Sequence, residues 1–481
     1  MSTNDTEKKS DDLVFEVETP SVTQHEIVID GKPLSYTATA GRMPIKNDKG
    51  EIDAQVFYIA YTVDQDMEIN RRPLIFTFNG GPGSPAIWLH MGIAGPYRAK
   101  MTPEGFLPAP PFDLEVNPHT WLPYGDLVLI DPVGTGYSRA KNEAIGEKHW
   151  GLQGDIEAMG EFIRLFITEN ERWMSPLYLA GESYGTARAA GVVGHLAPRG
   201  ILFNGIVLVS SILNWTTARN YKGNDLPYIL FLPTYATTAW YHGQLGDRFA
   251  TLDDLRKEVE RFALTDYALA LLQGDRLPDE KRQEIIERLH DFTGLSKDFI
   301  DRRDLRIEIM GFCKELLREK RRTVGRLDSR FVGIDGDHTG QKIEHDPSMS
   351  SIMGPYMSTF ATYLRGKLGY KTDMEYCIFN GVKKPWNWGS AGEGPPDTSE
   401  ALRQAMAKNP YMKVMIASGF YDLATPYFGT EYTFSHMGLD REVRSNVAIR
   451  YYESGHMMYI DETSLADLTR DVAGFLAESK G

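Results

Sequence analysis

The sequence has few cysteines, no excess of basic residues and no long apolar segment. Only two cysteines, Cys313 and Cys377, occur in 481 residues, so neither a disulfide framework nor a cysteine-based zinc site is expected. The 66 acidic residues outnumber the 52 lysines and arginines, which gives a formal net charge of −14. Nucleic acids and anionic membranes attract clustered positive charge, so this balance argues against both as partners.

The apolar runs are short and the N-terminus is polar. No run approaches the roughly 18 apolar residues of a membrane-spanning helix, and residues 1–24 lack the apolar core of a signal peptide. Hydrophobic residues at 42% and charged residues at 25% are ordinary for a globular protein. We therefore expect a soluble cytoplasmic protein with a disordered polar segment at residues 1–24.

Short apolar runs, each leading to a loop with glycine or serine, recur along the chain. They are residues 74–78, 127–130, 177–180, 206–209, 414–417 and 447–451. Such runs are typical of strands buried on both faces of a parallel sheet. Helical patterns lie between them, at residues 156–166 and, near the end, where Leu465, Leu468, Val472 and Phe475 predict an amphipathic helix. The alternation predicts a doubly wound α/β fold, preceded by antiparallel strands at 25–40 and 55–63.

The alternation of strands and helices is interrupted between residues 214 and 407. This stretch is rich in charged helical sequence and then in proline, tryptophan and glycine. We interpret residues 214–407 as a helical cap inserted into an α/β core formed by residues 25–213 and 408–481. An independent second domain is the alternative, which the sheet strands on both sides disfavour.

A Gly-x-Ser-x-Gly pattern at residues 181–185 follows one of the predicted strands. In a nucleophile elbow, the serine occupies a strained turn and flanking glycines let the strand and the following helix approach closely. The backbone N–H of the next residue then points into an oxyanion hole. This context makes Ser183 the candidate nucleophile.

Attack by a serine requires a general base and a carboxylate that orients the base. Asp422 follows the apolar run at 414–417, and His456 follows the run at 447–451. Both positions fall at the carboxyl ends of predicted strands, where the ligand crevice of an open α/β sheet lies. Most histidines are structural, but this position and the chain order Ser, Asp, His favour a catalytic His456.

The loop at residues 79–83, Asn-Gly-Gly-Pro-Gly, follows another early strand. Its glycines permit backbone N–H groups to face a ligand, as in the oxyanion loops of esterases and lipases. A plain turn is the alternative reading of the loop taken alone.

Together these motifs resemble the serine carboxypeptidases of the α/β-hydrolase fold, with this chain as a disulfide-poor, bacterial-like member. The matching blocks are Asn-Gly-Gly-Pro-Gly-Ser at 79–84, Asp-Pro-Val-Gly-Thr-Gly-Tyr-Ser at 131–138, Gly-Glu-Ser-Tyr-Gly at 181–185, Ser-Gly-x-x-Asp-x-x-Thr-Pro at 418–426 and Ser-Gly-His-Met at 454–457. The cap shows no comparable resemblance. The resemblance implies a mostly parallel central sheet flanked by helices, and hydrolysis of C-terminal peptide bonds through an acyl-enzyme.

The resemblance also implies roles for individual residues of the catalytic machinery. Ser183 is the nucleophile, His456 the base and Asp422 the residue that orients the base. The oxyanion hole falls at the N–H groups of Gly81 and Tyr184.

Three further residues are implied to bind the C-terminal carboxylate of a peptide: Asn79, Gly80 and Glu182. Glu182 is expected to be protonated, because two carboxylates so close would repel each other. Such activity should strengthen below neutral pH.

Two positions depart from the family pattern. Thr77 stands where the family usually has tryptophan, and Ile93 stands where it has a second glutamate. The alternative function is therefore an esterase, amidase or acyltransferase that acts on small acyl substrates with the same triad. A non-enzymatic scaffold is disfavoured by the ordered Ser, Asp and His.

The remaining patterns carry weaker expectations. No cofactor and no metal are predicted, although acidic residues and histidines at 335–338 and 345–346 offer a weak alternative. Trp386 and Trp388 are expected to pack in the core, with pocket lining as the alternative. The charged run at 314–326 predicts a solvated helical face. The expected partner is a peptide or small acyl substrate, and the oligomeric state is left open, a dimer included.

Overall fold

The computed structural model describes residues 12, 13, 15, 18–64, 71–389 and 395–479. The expected disorder of residues 1–11 lies outside the described residues. At residues 21–24 the expectation is wrong, because these residues form the start of the first strand and pair with residues 37–40. This strand lies at the edge of the sheet with one face half-buried and one exposed, so it needs no apolar run.

The described residues form a ten-stranded sheet and two short hairpins. The strands are β1 (Ser21–Ile29), β2 (Lys32–Lys46), β3 (Ile52–Val63), β4 (Leu74–Phe78), β5 (Tyr97–Ala99), β6 (Leu114–Val116), β7 (Asp126–Ile130), β8 (Arg139–Ala140), β9 (Leu177–Glu182), β10 (Gly205–Val209), β11 (Thr323–Val324), β12 (Val332–Gly333), β13 (Lys413–Gly419) and β14 (Val447–Tyr452). The order along the sheet is β1-β2-β3-β7-β4-β9-β10-β13-β14, and β8 pairs with β3.

The strands from β7 to β14 in this order are parallel, and β1, β2 and β3 are antiparallel additions at one edge. The predicted strand at 25–40 is in fact a hairpin of β1 and β2. It turns at Asp30 and Gly31, both with positive φ, which is the signature of a two-residue hairpin turn. The predicted α/β-hydrolase class, a mostly parallel sheet flanked by helices, is confirmed.

The helices flank the sheet or build the long insertion. They are α1 (Ile87–Leu89), α2 (Glu143–His149), α3 (Leu152–Glu169), α4 (Tyr184–Leu196), α5 (Leu226–Tyr241), α6 (Leu252–Phe262), α7 (Ala268–Gln273), α8 (Asp279–Thr293), α9 (Lys297–Arg302), α10 (Ile309–Glu315), α11 (Pro347–Gly366), α12 (Ser399–Lys408), α13 (Tyr427–His436), α14 (Arg441–Arg444) and α15 (Glu462–Glu478). None of the helices in the described ranges is long and apolar enough to cross a membrane.

Each face of the sheet has its own apolar core. Helices α3, α4 and α12 cover one face, and α11 and α15 cover the other. The predicted amphipathic helix is α15, whose Leu465, Leu468 and Val472 are buried against the sheet. Because both faces are covered, the inner parallel strands β4, β7, β9, β10 and β13 are buried and mainly apolar, as their sequences predicted. For the run at 447–451 the prediction is wrong, because β14 is an edge strand whose Arg450 and Tyr451 are exposed.

The insertion between β10 and β13 is less uniform than a single cap at 214–407. Helices α5 to α10 share a separate apolar core. However, α11 packs Ile352, Tyr356 and Phe360 into one core of the sheet, and α12 packs Leu402 and Met406 into the other. These two helices flank the sheet because each carries an apolar face for it.

Candidate active site

Ser183 lies in the sharp turn between β9 and α4. Its φ of 59° and ψ of −130° fall in a region that side chains rarely adopt, which is the strain expected of a nucleophile elbow. The backbone N–H of Ser183 donates to the carbonyl of Val209 at 2.9 Å and fixes the turn to β10. A Cβ added at Gly181 would lie 2.2 Å from the carbonyl oxygen of Gly185, so this close approach requires glycine.

Asp422 and His456 form a buried pair at the carboxyl ends of β13 and β14. Nδ1 of His456 lies 2.7 Å from Oδ2 of Asp422. The carboxylate also accepts the backbone N–H groups of Ala424 and Thr425 on Oδ1, at 2.7 and 3.0 Å, and the Thr425 hydroxyl on Oδ2 at 2.7 Å. Asp422 is fully buried, so these bonds hold its carboxylate in one orientation.

The pKa of His456 is set by opposing effects. Burial lowers the pKa, but the charge and hydrogen bond of Asp422 outweigh burial, with help from Glu182, and leave the pKa above its ordinary value. A raised pKa favours the imidazolium that forms when a histidine accepts a proton from serine. The pair is therefore suited to general-base chemistry.

Ser183 and His456 line the same cavity, which has a volume of about 120 Å³. Its other lining residues are Gly80, Gly81, Ser84, Trp88, Glu182, Arg326, Leu327, Met349, Phe379, Ala424 and Met457. Five of the eight predicted site residues thus meet at one cavity, and Asp422 lies directly behind His456.

The glycine loop at 79–83 lies against the elbow. A Cβ added at Gly80 would lie 2.5 Å from the backbone nitrogen of Tyr184 and 2.7 Å from that of Gly185. These neighbours are backbone atoms, which cannot move aside cheaply. Gly81 has a φ of 101°, which also favours glycine. The loop therefore needs these glycines to reach the N–H of Tyr184, the predicted oxyanion donor.

Glu182 is a buried carboxyl group at the cavity wall. Burial raises its pKa to about 7, against the opposing effects of His456, Tyr459 and Asn79. The Tyr459 hydroxyl donates to Oε2 of Glu182 at 2.5 Å. Oδ1 of Asn79 accepts the backbone N–H of Leu89 at 3.1 Å. The amide nitrogen of Asn79 is therefore the group through which this residue lowers the pKa of Glu182. The predicted protonation of Glu182 has a physical basis in this burial.

Tyr459 was not found by sequence reasoning. It comes three residues after His456 in a short helical turn, so its place in the chain was the only signal. Thr77 and Ile93, the two departures from the family pattern, are fully buried and are absent from the lining of the cavity.

A segment of the insertion, residues 326–330, crosses the loops that carry the Asp and the His; we call it the strap. The carbonyl of Leu327 accepts the backbone N–H of His456 at 2.7 Å, and the carbonyl of Arg326 accepts that of Leu423 at 3.0 Å. Asp328 accepts the N–H of Gly455 at 3.1 Å. The strap therefore fixes both loops of the site.

An ion pair holds the strap in place. Arg330 pairs with Asp328 at 2.7 Å and donates to the Ser454 hydroxyl at 2.8 Å. A Cβ added at Gly455 would lie 2.4 Å from Cβ of Asp328, so the close approach of the strap explains this glycine of the His block. Sequence reasoning did not find the strap.

The charged run at 314–326 is not a solvated face throughout. Lys314 is buried and pairs with Asp335 at 2.6 Å. Asp335, the first of the residues that the sequence offered as a weak alternative metal site, is thus already bound to a lysine. Within the described ranges, no group of three or more His, Cys, Asp or Glu side chains could hold a metal ion.

The remaining aromatic and cysteine residues have structural places. Trp386 and Trp388 pack edge-on against the ring of Tyr184, and Trp388 also contacts Trp215, so they support the elbow from behind. Cys313 and Cys377 are both free and buried.

The chain is similar in sequence to known serine carboxypeptidases. The model of the family "Serine carboxypeptidase" matches residues 31–197. The pheromone-processing carboxypeptidase KEX1 of Uncinocarpus reesii is 32% identical over 124 residues, which cover 24% of this chain and 16% of that protein. The kex1 protein of Aspergillus fumigatus is 30% identical over 220 residues, which cover 43% of this chain and 31% of that protein. The chain thus spans less than a third of these curated relatives.

A solved structure extends the similarity to the whole fold. The crystal structure of a prohormone-processing carboxypeptidase, Kex1(delta)p of Saccharomyces cerevisiae, has a TM-score of 0.56 at 15% identity. The alignment covers 92% of this chain and 91% of that one. At this identity the likeness concerns the fold.

Proposed function

We propose that the chain is a serine carboxypeptidase that hydrolyses C-terminal peptide bonds through an acyl-enzyme, since the serine carboxypeptidase family model matches residues 31–197. The observation that carries the proposal is the buried Asp422–His456 pair facing the cavity that Ser183 also lines. The three residues have the chemistry of a nucleophile, a base and an orienting carboxylate.

In the proposed reaction, Oγ of Ser183 attacks the carbonyl carbon of the last peptide bond while His456 takes the hydroxyl proton. The negative oxygen of the tetrahedral intermediate accepts hydrogen bonds from the N–H groups of Gly81 and Tyr184. His456 then gives its proton to the leaving amine, and the free C-terminal amino acid departs. A water molecule, activated by His456, releases the acyl group from Ser183 in the same way.

Glu182 and Asn79 are proposed to bind the carboxylate of the substrate. A protonated Glu182 donates a hydrogen bond to a carboxylate, whereas an ionised Glu182 repels it. Since the pKa of Glu182 is raised to about 7, the neutral form dominates below that pH. Recognition of the carboxylate should therefore weaken as the pH rises through about 7.

We expect a blocked dipeptide with a free carboxylate to be hydrolysed at least tenfold faster than its amide below about pH 7, since the charged hydrogen bond from neutral Glu182 favours the acid. The measurement is kcat/KM for both substrates from pH 4 to 8. Both profiles should fall at low pH, where His456 is protonated. Only the free-acid profile should fall above about 7, where Glu182 ionises.

The control is Glu182→Gln, which keeps a neutral hydrogen-bond donor of the same shape at every pH. Its free-acid profile should lose the fall above about 7. Equal rates on the acid and the amide at every pH would contradict carboxylate recognition.

The second candidate function is an esterase, amidase or acyltransferase acting on small acyl compounds with the same triad. The buried Thr77 and Ile93 favour it, because they supply no polar group to the cavity. Equal acid and amide rates together with fast hydrolysis of p-nitrophenyl esters would support this candidate.

A further inference from the structure

Arg326 brings a permanent positive charge to the cavity. Among the described residues that line it, Arg326 is the only lysine or arginine. Its side chain is exposed, and within the described ranges its guanidinium forms no ion pair or hydrogen bond. This positive charge is therefore available to a ligand in the cavity.

The backbone of Arg326 is fixed beside the triad. Its N–H donates to Oδ1 of Asp346 at 3.1 Å, and its carbonyl accepts the N–H of Leu423, the residue after Asp422. The next residue, Leu327, is bonded to His456 in turn. The backbone from which the guanidinium extends is thus held in a fixed place beside the triad.

Within the described ranges, no carboxylate forms an ion pair with the guanidinium of Arg326. The carboxylate of Asp346 accepts hydrogen bonds from the backbone N–H groups of Arg326, Leu327 and Ser348 and from the Ser348 hydroxyl. Asp346 does not line the cavity, whereas Glu182 does, and the raised pKa of Glu182, about 7, makes it neutral in acid. Arg326 also lowers the pKa of His456, so its charge is felt at the catalytic base.

We infer that Arg326 is a specificity-determining residue that binds a carboxylate of the substrate, an inference that rests on the proposed function. A guanidinium matches the two oxygens of a carboxylate and stays charged at every working pH. It supplies the cavity with a carboxylate partner that Thr77 and Ile93 do not provide. The bound group is either the C-terminal carboxylate of the peptide or an acidic side chain next to the scissile bond.

The test compares two substrate pairs in wild-type protein and Arg326→Ala. The first pair is a blocked dipeptide ending in leucine as the free acid and as the amide. The second pair is a blocked dipeptide amide ending in glutamate or in glutamine. We expect the acid-to-amide ratio of kcat/KM, or the glutamate-to-glutamine ratio, to fall about tenfold in the variant, chiefly through KM.

A fall in the acid-to-amide ratio shows that Arg326 binds the C-terminal carboxylate. A fall in the glutamate-to-glutamine ratio shows that it binds an acidic side chain. Arg326→Lys should recover part of the lost ratio, because it restores the charge without the planar fork. The matched control is Arg322→Ala, an exposed arginine outside the lining, which should leave both ratios as in the wild type. Unchanged ratios for both pairs in Arg326→Ala would overturn the inference.

Failure of this inference is distinguishable from failure of the proposed function. If the wild-type protein hydrolyses the dipeptides and Arg326→Ala leaves both ratios unchanged, only the role of Arg326 is overturned. If the wild-type protein hydrolyses neither the dipeptides nor p-nitrophenyl esters, both the proposed function and the role of Arg326 are overturned. The midpoint of thermal unfolding should be nearly the same in Arg326→Ala and the wild type, because this side chain is exposed and its guanidinium bonds to none of the described residues.

Discussion

Ser183→Ala is expected to lower kcat for a free-acid dipeptide by about 10⁶-fold, the scale seen when a serine nucleophile is removed from a triad. The loss is this large because Asp422 and His456 have no function in the reaction without the hydroxyl that they activate. The oxyanion hole and substrate binding would support only a small residual rate.

The fold should survive this substitution. Alanine has the same Cβ as serine, so it meets the same strain at a φ of 59°, and the backbone bond from residue 183 to Val209 remains. Ser435→Ala, at an exposed serine of α13, is the matched control and should keep wild-type kcat. A Ser183→Ala variant that retains more than about 1% of kcat would contradict the assignment of the nucleophile.

Asp422→Asn is expected to lower kcat by about 10⁴-fold while leaving the fold intact. Oδ1 of Asp422 accepts two backbone N–H groups, so an asparagine would keep its oxygen there. Its amide nitrogen would then face Nδ1 of His456, where Oδ2 now lies at 2.7 Å. Two donors cannot bond, so His456 would have to adopt the tautomer that protonates the nitrogen facing Ser183.

The measurement is kcat across pH for wild-type protein and Asp422→Asn, with thermal unfolding as a check on the fold. Loss of the Asp422 charge also removes the main effect that raises the pKa of His456, so that pKa should fall. Asp440→Asn, at an exposed aspartate that caps α14, is the control. A loss of less than tenfold in Asp422→Asn would contradict the role of the carboxylate.

The strands and site residues that the sequence predicted are marked by local patterns. A strand buried on both faces is apolar throughout, so β4, β7, β9, β10 and β13 could be recognised one at a time. The carboxyl ends of parallel strands lie at one edge of the sheet, which explains why residues 183, 422 and 456 could be grouped before their distances were known.

The strap was beyond sequence reasoning because its contacts join distant parts of the chain. Asp328 and Gly455 are 127 residues apart, and no periodic pattern marks residues 326–330. The buried Lys314 has the same explanation, since the sequence does not reveal its partner Asp335. Charged residues are usually exposed, and only the tertiary structure identifies the paired exceptions.

The surfaces against which α11 and α12 pack are also not evident from the sequence. Helices α11 and α12 lie in the stretch that breaks the strand–helix alternation, so the sequence grouped them with the insertion. Their apolar faces predict burial but do not say against which surface. The structure places them on the two faces of the sheet, and α11 also contributes Met349 near its start to the cavity.

The role of Ser183 as the nucleophile is tested by locating the residue that reacts with a fluorophosphonate. The intact mass of the treated protein gives the number of adducts, and the mass of proteolytic peptides gives the modified residue. We expect one adduct on Ser183, formed at a rate that falls as His456 becomes protonated in acid. An adduct on another residue, or no adduct in a folded protein, would contradict this expectation.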